Sequence, residues 1–116
     1  MPDPVGPPPL TPLSHAILLA LAEEDLHGYA LAQAVERETD GAVRPGTGTL
    51  YAALQRLSDD GLIADSRYRP GPDEDQRRKY YRITDLGRTA ARAEATRLQR
   101  VLGLSAERGL LPEQPG

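Results

Sequence analysis

The sequence contains no cysteine, tryptophan or phenylalanine, and tyrosine is the only large aromatic residue. Without cysteine, disulfides and thiolate metal sites are excluded. Without Phe and Trp, the core must be built from Leu, Ala, Ile, Val and a few Tyr, which makes it thin for a chain of 116 residues. We therefore expect a single domain that gains stability from a partner chain.

Long hydrophobic runs are also absent. No apolar stretch approaches the ~20 residues of a membrane-spanning helix, and no basic segment followed by an apolar run stands at the N-terminus. A cytoplasmic protein without a membrane partner is the expectation. Proline is abundant at both ends, and because it disfavours helices and sheets, we predict a disordered arm over residues 1–10 and a flexible tail over 105–116.

Lysine is scarce, since Lys79 is the only lysine among 14 basic residues. The net charge of −3 at first argues against a nucleic-acid partner, but the charges are unevenly distributed. Residues 1–66 carry three basic and ten acidic side chains, whereas residues 67–116 carry eleven basic and seven acidic ones. This clustering of arginine, which suits phosphate and guanine, favours nucleic-acid binding by the second half.

Apolar spacing predicts three helices in the first half of the chain, over about 11–24, 28–39 and 47–61. Thr11 followed by Pro12 is a good helix start, and Asp40-Gly41 is a good helix end. In the second helix, Tyr29 is expected to face inward together with Leu31. The second and third helices, joined by a short turn, form a helix-turn-helix pair.

A small antiparallel hairpin is predicted next. Its strands cover about 63–68 and 78–83, and a turn-rich, acidic loop over 69–76 joins them. The fold class is thus mainly α with a two-stranded wing (α+β): a winged helix-turn-helix domain over 11–84 plus a C-terminal dimerisation helix over 85–104.

The last helix carries an apolar stripe that three earlier helices leave uncovered. The simplest cover is the same helix of a second copy, which predicts a homodimer. The alternative is that this helix folds back on the first helix of its own chain. The candidate dimer-interface residues lie on the first and last helices: Leu13, Ile17, Leu86, Ala90, Ala93, Leu98, Val101 and Leu102.

Four segments together resemble the PadR family of bacterial winged helix-turn-helix regulators. They are 13–18 (LSHAIL), 27–31 (HGYAL), 48–63 (GTLY…LQRL…GLI) and 78–87 (RKYYRITDLG). The resemblance covers about residues 10–90 and implies a winged-helix fold, a homodimer formed through the first and last helices, and a two-fold-symmetric operator. It also implies repression that a small molecule relieves in some members. The chain resembles the short subclass, and it lacks the tryptophan with which members of the family stack planar drugs.

Two segments are candidates for DNA contact. The third helix offers Thr47, Gly48, Thr49, Tyr51 and Gln55, which are small or polar and suit phosphates and base edges. The wing offers Arg77, Arg78 and Lys79, placed where a wing touches the DNA backbone. Alternatively, Tyr51 packs against the second helix with its hydroxyl in water, and the three cations form only a solvated face.

Other chemistry is not indicated. His15 and His27 lack the companions of a metal site, so we expect no metal and no cofactor, and His27 is expected to hydrogen-bond near a helix start. No nucleophile motif or carboxylate pair argues for an enzyme. The alternative function is a winged-helix protein-interaction module without sequence-specific DNA binding, favoured by the acidic first half and the acidic loop. A small-molecule effector bound between the dimer helices is a further expectation.

Overall fold

A computed structural model describes residues 7–68 and 78–112. In these ranges the chain forms helices and short strands, and the helices are α1 (Pro12–Glu23), α2 (Gly28–Glu38), α3 (Thr47–Asp59) and α4 (Asp85–Glu107). The strands are β1 (Leu26–His27), β2 (Ile63–Asp65) and β3 (Tyr80–Ile83). The mainly helical fold with a small antiparallel wing, as predicted from the sequence, is confirmed.

The core lies between the first three helices and one face of the sheet. The fully buried side chains at its centre come from every one of these elements: Ile17, Leu18, Leu31, Val35, Leu54 and Ile63. They recur at helical spacing because each helix has one apolar stripe, and burying those stripes against one another is the main stabilising term. The core is aliphatic, as the composition predicts.

Local signals place the helix ends. Thr11 caps α1, since its side chain accepts a hydrogen bond from the Ser14 N–H, and His27 does the same for α2 through Nδ1 and the Ala30 N–H. The expectation that His27 bonds near a helix start is thereby confirmed. After α2 the chain turns through Asp40 and Gly41, both with positive φ (55° and 81°). Glycine adopts that conformation without steric cost, so the turn into α3 can be tight.

The wing has one strand more than predicted. The sheet order is β1-β3-β2, with β3 paired antiparallel to both neighbours. In the register, Tyr81 lies between Leu26 and Asp65. A strand of two residues has too short a pattern to be recognised in a sequence, which is why β1 escaped prediction. Its effect is to bring the start of α2 beside the wing.

The first half of α4 folds back on α1, and the second half stands clear of the domain. Gly87, Ala90 and Glu94 are buried on the near side, while Leu98, Val101 and Leu102 remain about half exposed. At Gly87 a side chain would run into the carbonyl group of Leu62, so glycine is required where α4 crosses the chain before β2. The alternative of a folded-back helix thus holds for half of α4.

The domain boundaries need three corrections. Helix α4 continues to Glu107 and not to residue 104, because nothing breaks it before the positive-φ turn at Gly109. Residues 105–107 are therefore helical and not part of a flexible tail. The arm is ordered in its last part: the Leu10 N–H donates to Glu94 Oε1 at 2.7 Å, and the Leu10 side chain packs against the core. Residues 1–6 and 113–116 lie outside the described ranges.

Two of the candidate dimer residues are core residues of a single chain. Ile17 of α1 is fully buried in the core, and Ala90 of α4 is 2% exposed where α4 meets α1. Both side chains are thus largely taken up by contacts within one chain, and their assignment to the interface stays a prediction. The apolar periodicity that singled them out is the same for a core and for an interface. Leu13 and Ala93 are half-buried, and Leu86 is exposed.

Within residues 7–68 and 78–112, no helix has both the length and the apolar character that crossing a bilayer demands.

Candidate nucleic-acid interface

One face of α3 is free of the core and holds all the helical DNA-contact candidates. Thr47, Gly48, Thr49, Tyr51 and Gln55 are exposed, whereas Leu50, Ala53, Leu54 and Leu57 are buried on the opposite face. Thr47, Tyr51 and Gln55 follow at intervals of four residues, so they form one row along the helix. The helix begins at Gly46 without a side-chain cap, and a Cβ added to Gly48 would meet nothing within 4 Å. This end of α3 presents backbone N–H groups and little bulk.

Tyr51 is placed by the glycine at the start of α2. A Cβ on Gly28 would overlap the Tyr51 hydroxyl and lie 2.8 Å from its Cζ atom. The ring therefore rests on the backbone of Gly28, and the side chain is still 48% exposed. The two readings of Tyr51 turn out not to exclude one another: it packs against α2 and also keeps an exposed surface.

Gln55 is engaged within its own helix. Its Nε2 donates to Asp59 Oδ1 at 2.9 Å, an exposed contact one turn further along. Exposed pairs of this kind contribute little to stability, so the amide can exchange this partner for another at small cost.

Both described cations of the wing, Arg78 and Lys79, contact other side chains of the protein. Arg78 Nη1 lies 2.9 Å from His27 Nε2. Lys79 Nζ lies 3.3 Å from an Asp65 carboxylate oxygen and 5.4 Å from the centre of the Tyr81 ring. Both cations are thus held near the start of α2 although they remain exposed. Arg77 and the acidic loop residues 73–75 lie outside the described residues.

Helix α3, the start of α2 and the wing meet at one depression of about 260 Å³. We call it the wing pocket; its lining residues are His27, Gly28, Tyr29, Tyr51, Arg78, Lys79 and Tyr81. The wing candidates Arg78 and Lys79 therefore share one surface depression with Tyr51, a candidate from α3. The N-terminal end of α2 adds the positive end of a helix dipole to the same place.

Tyr81 is the group that sequence reasoning missed at this site. It is only 6% exposed and lines the wing pocket. Burial raises the pKa of this hydroxyl above 10.0; Lys79 opposes the shift, and Tyr51 and Asp65 add to it. The hydroxyl is therefore protonated near neutral pH and can donate a hydrogen bond.

Tyr29 was predicted to face inward and is instead 65% exposed at the rim of the wing pocket. The prediction was wrong because Tyr29 precedes Leu31 by two positions, which places the two side chains on opposite sides of a helix. Helical periodicity alone could have placed it correctly. Its ring lies 6.5 Å from the His27 ring in a stacked arrangement.

These features define a winged helix-turn-helix domain: α2 and α3 form the helix pair, and β2 and β3 form the wing. Within that class, the model of the transcriptional regulator PadR-like family matches residues 17–93, and the chain belongs to that family. Members of the family are transcriptional regulators and not enzymes. An uncharacterised protein of Lysinibacillus sphaericus is 36% identical over 76 residues, which cover 66% of this chain and 68% of that protein.

Solved structures agree with this assignment. A transcriptional regulator from Clostridium thermocellum superposes with a TM-score of 0.68 at 28% identity, covering 82% of this chain and 87% of the other. A PadR-like transcriptional regulator from Bacillus cereus gives a TM-score of 0.69 at 25% identity, covering 87% and 93%. The resemblance found in the sequence is therefore confirmed.

Proposed function

We propose that this PadR-family protein is a repressor that binds a two-fold-symmetric operator as a homodimer. The exposed row of Thr47, Tyr51 and Gln55 would lie in the major groove, and the wing would contact the flanking backbone. The observation that carries the proposal is that Tyr51, the middle residue of this row, and the cations Arg78 and Lys79 line one depression of the surface, the wing pocket.

The direct test is a gel-shift titration of the protein against its own upstream intergenic DNA, with random competitor DNA, at two salt concentrations. We expect a discrete complex that resists the competitor and weakens with salt, since each neutralised phosphate contributes about −0.9 to the slope of log affinity against log salt. A reporter gene behind the same DNA should be transcribed less when the protein is present. Weak binding that competitor removes and salt barely changes would favour the protein-interaction module instead.

The wing is tested by the double variant Arg78→Ala/Lys79→Ala. Because phosphate contacts carry little sequence information, affinity should fall by the same factor for operator and random DNA, and the salt slope should flatten by about 2. Arg88→Ala/Arg92→Ala on exposed positions of α4 is the matched control for loss of two charges. An unchanged slope in the wing variant would remove the wing from the interface.

The homodimer is supported by the exposed second half of α4. Leu98, Val101 and Leu102 are 43%, 53% and 52% exposed and lie on one apolar stripe, which is typical of a face that a partner covers. A partner packed there would fix the separation of the two α3 helices, which sets the spacing of the half-sites that the dimer can bind.

We further propose that a small-molecule effector releases the repressor. Besides the expected place between dimer helices, a cavity of about 560 Å³ supports this proposal; it lies beside the C-terminal end of α3, and Leu57, Leu62 and Leu86 contribute to its lining. That volume is in the range of small-molecule sites. The test is to add candidate compounds to the preformed operator complex and look for release of free DNA; Leu86→Gln should weaken the response if the cavity is the site.

A further inference from the structure

The cavity proposed as the effector site has one wall that lies outside the helices and the wing. Residues 7–10, which we call the strap, form that wall, and Leu57, Leu62 and Ala90 are among the residues that complete the lining. Positions 7–9 are three successive prolines, which have a fixed φ and no N–H group to donate. The strap is therefore stiff, and its position depends on how its last residue is attached.

Leu10, the last residue of the strap, is attached to α4. Its N–H donates to Glu94 Oε1 at 2.7 Å, and its side chain packs against the core. Glu94 is only 7% exposed, and a carboxylate at that depth is costly unless hydrogen-bond donors reach it. The strap and the first half of α4 therefore hold each other in place.

Leu10 also lines a second depression, of about 320 Å³, between the strap, α1 and α4. Glu94 and Leu98 belong to the lining of this depression as well. Leu98 follows Glu94 by one helical turn and is the first residue of the exposed apolar stripe of α4. One residue of the strap thus lines both the effector cavity and the place where the proposed dimer face begins.

The polar groups around Glu94 are incompletely satisfied. Arg97 donates to the same oxygen at 2.7 Å through one terminal nitrogen. Its Nε atom and Nε2 of His15, which lines the second depression, are buried without a hydrogen-bond partner in the described part of the chain. Such atoms destabilise the arrangement that contains them, and the elements that move in regulation come from weakly stabilised regions. The junction of the strap, α1 and α4 is therefore a place that a small change can shift.

We propose that the strap couples the effector cavity to the dimer half of α4 through the hydrogen bond between Leu10 and Glu94. This inference rests on the proposed effector site and deepens it, because it names how occupancy of that site reaches the dimer. A molecule that fills the cavity packs against the strap and stabilises its closed position. The closed strap fixes α4 against α1, which tightens the dimer and sets one separation of the two α3 helices. Because coupling is reciprocal, dimerisation in turn favours the closed strap.

The absence of cysteine allows the cavity to be filled from one chosen position. Leu62→Cys places a single thiol in the lining, and hexyl methanethiosulfonate attaches a hexyl chain to it as a mixed disulfide, with methanesulfinate as the leaving group. Thr89→Cys, at an exposed position of α4, carries the same chain outside the cavity and is the matched control. Analytical ultracentrifugation measures the dimer dissociation constant of each protein with and without the chain. The chain at position 62 should lower this constant by about 5- to 150-fold, the usual range of coupling between two sites, and the chain at position 89 should leave it unchanged.

Two substitutions of Leu10 separate the hydrogen bond from the side chain. Proline has no N–H, so in Leu10→Pro the hexyl chain at position 62 should no longer affect the dimer. Leu10→Ala keeps the N–H and should keep the effect. Glu94→Leu removes the acceptor instead of the donor and should abolish the effect as Leu10→Pro does. Thermal unfolding verifies that each variant is folded before its dimer is measured.

The proposal is overturned if the chain at position 62 leaves the dissociation constant unchanged or raises it. An effect of equal size in Leu10→Pro and Glu94→Leu would also overturn it, since the hydrogen bond would then carry no coupling. Loss of the effect in Leu10→Ala would assign the coupling to the side chain and contradict the role of the hydrogen bond.

A gel shift of the same proteins with the upstream duplex keeps this failure apart from failure of the proposed function. If the protein without the hexyl chain dimerises and binds the duplex while the chain has no effect on the dimer, only the coupling is wrong. If the protein is monomeric at every concentration, the proposed homodimer fails first, and this inference fails with it.

Discussion

At the scale of single residues, the candidate interface depends on two glycines, Gly28 and Gly48. Gly28 lets the Tyr51 ring rest on the start of α2, and Gly48 leaves the exposed face of α3 open to a DNA backbone. The two glycines have opposite surroundings: the space beside Gly28 is filled, and the space beside Gly48 is empty. They therefore make a matched pair for separating stability from binding.

Gly28→Ala should destabilise the protein, because the new methyl group overlaps the Tyr51 hydroxyl and one of the two must move. Overpacking of this kind costs about 1–3 kcal/mol. Thermal unfolding and DNA affinity should both fall, since Tyr51 is pushed out of the wing pocket. An alanine variant as stable as the wild type would mean that the Tyr51 ring is not held where the structure places it.

Gly48→Ala is the control, and its two effects should have opposite signs. Alanine in an exposed helix is more stable than glycine by about 0.5–1 kcal/mol, and nothing obstructs the new methyl group. The variant should unfold at a higher temperature but bind DNA more weakly, because the methyl group stands on the face proposed to approach the DNA. Unchanged DNA affinity would move the contact away from this turn of α3.

At the scale of secondary structure, periodicity and end signals predicted the four helices and the two wing strands, because long amphipathic elements repeat their pattern several times. The cap at Thr11 and the glycine turns at the ends of α2 and α3 act locally, so a sequence reveals them. Strand β1 could not be predicted, since its two residues take their form from pairing with β3. Nor could the sequence separate Ile17 in the core from Leu98 at the surface, because both occupy the apolar stripe of a helix.

The site was predictable to a similar degree. The exposed face of α3 follows from helical geometry, and the clustered cations of the wing follow from composition. Tyr81 was missed because its place in the wing pocket depends on three elements that meet there: the start of α2, helix α3 and the wing. Contacts between elements distant in sequence leave no pattern within any one of them.

The arm and α4 are joined by Glu94, which gives stability a defined pH dependence. The Leu10 N–H and the Arg97 guanidinium both donate to Glu94 Oε1 at 2.7 Å. The hydrogen bond from Leu10, followed by that from Arg97, holds the pKa of Glu94 below its ordinary value of 4.5, and these effects outweigh burial, which raises it. A lowered folded-state pKa means that this stabilisation is present above about pH 4.5 and is lost as the pH falls through the pKa of the folded protein.

Glu94→Gln should therefore be less stable than the wild type at pH 7, by about 1–3 kcal/mol for hydrogen bonds to a charged group. The difference should shrink as the pH is lowered below 4.5, because the wild-type carboxylate is then protonated too. Urea unfolding at several pH values between 7 and 3 measures it. Glu107→Gln, at an exposed position of the same helix, should follow the wild type within about 0.5 kcal/mol. A constant difference at all pH values would show that the carboxylate charge is not the cause.

At the scale of the whole molecule, the cations of the wing and the apolar stripe of the second half of α4 lie in different regions. The cations of the wing line the wing pocket, and Leu98, Val101 and Leu102 lie on the half of α4 that leaves the domain. This separation allows one copy to bind DNA and a second copy at the same time. A two-fold axis through paired α4 helices would repeat the DNA-facing surface, as a palindromic operator requires.

The double variant Leu98→Glu/Val101→Glu tests that arrangement. Both side chains are substantially exposed in a single chain, at 43% and 53%, so the charges should leave the fold intact and act only on association. Light scattering should show a dimer for the wild type and a monomer for the variant, and operator affinity should fall steeply because each chain then binds one half-site alone. Gln99→Glu adds a charge at the exposed position between them and is the control. A variant that stays dimeric would place the interface elsewhere, and a monomeric wild type would refute the homodimer itself.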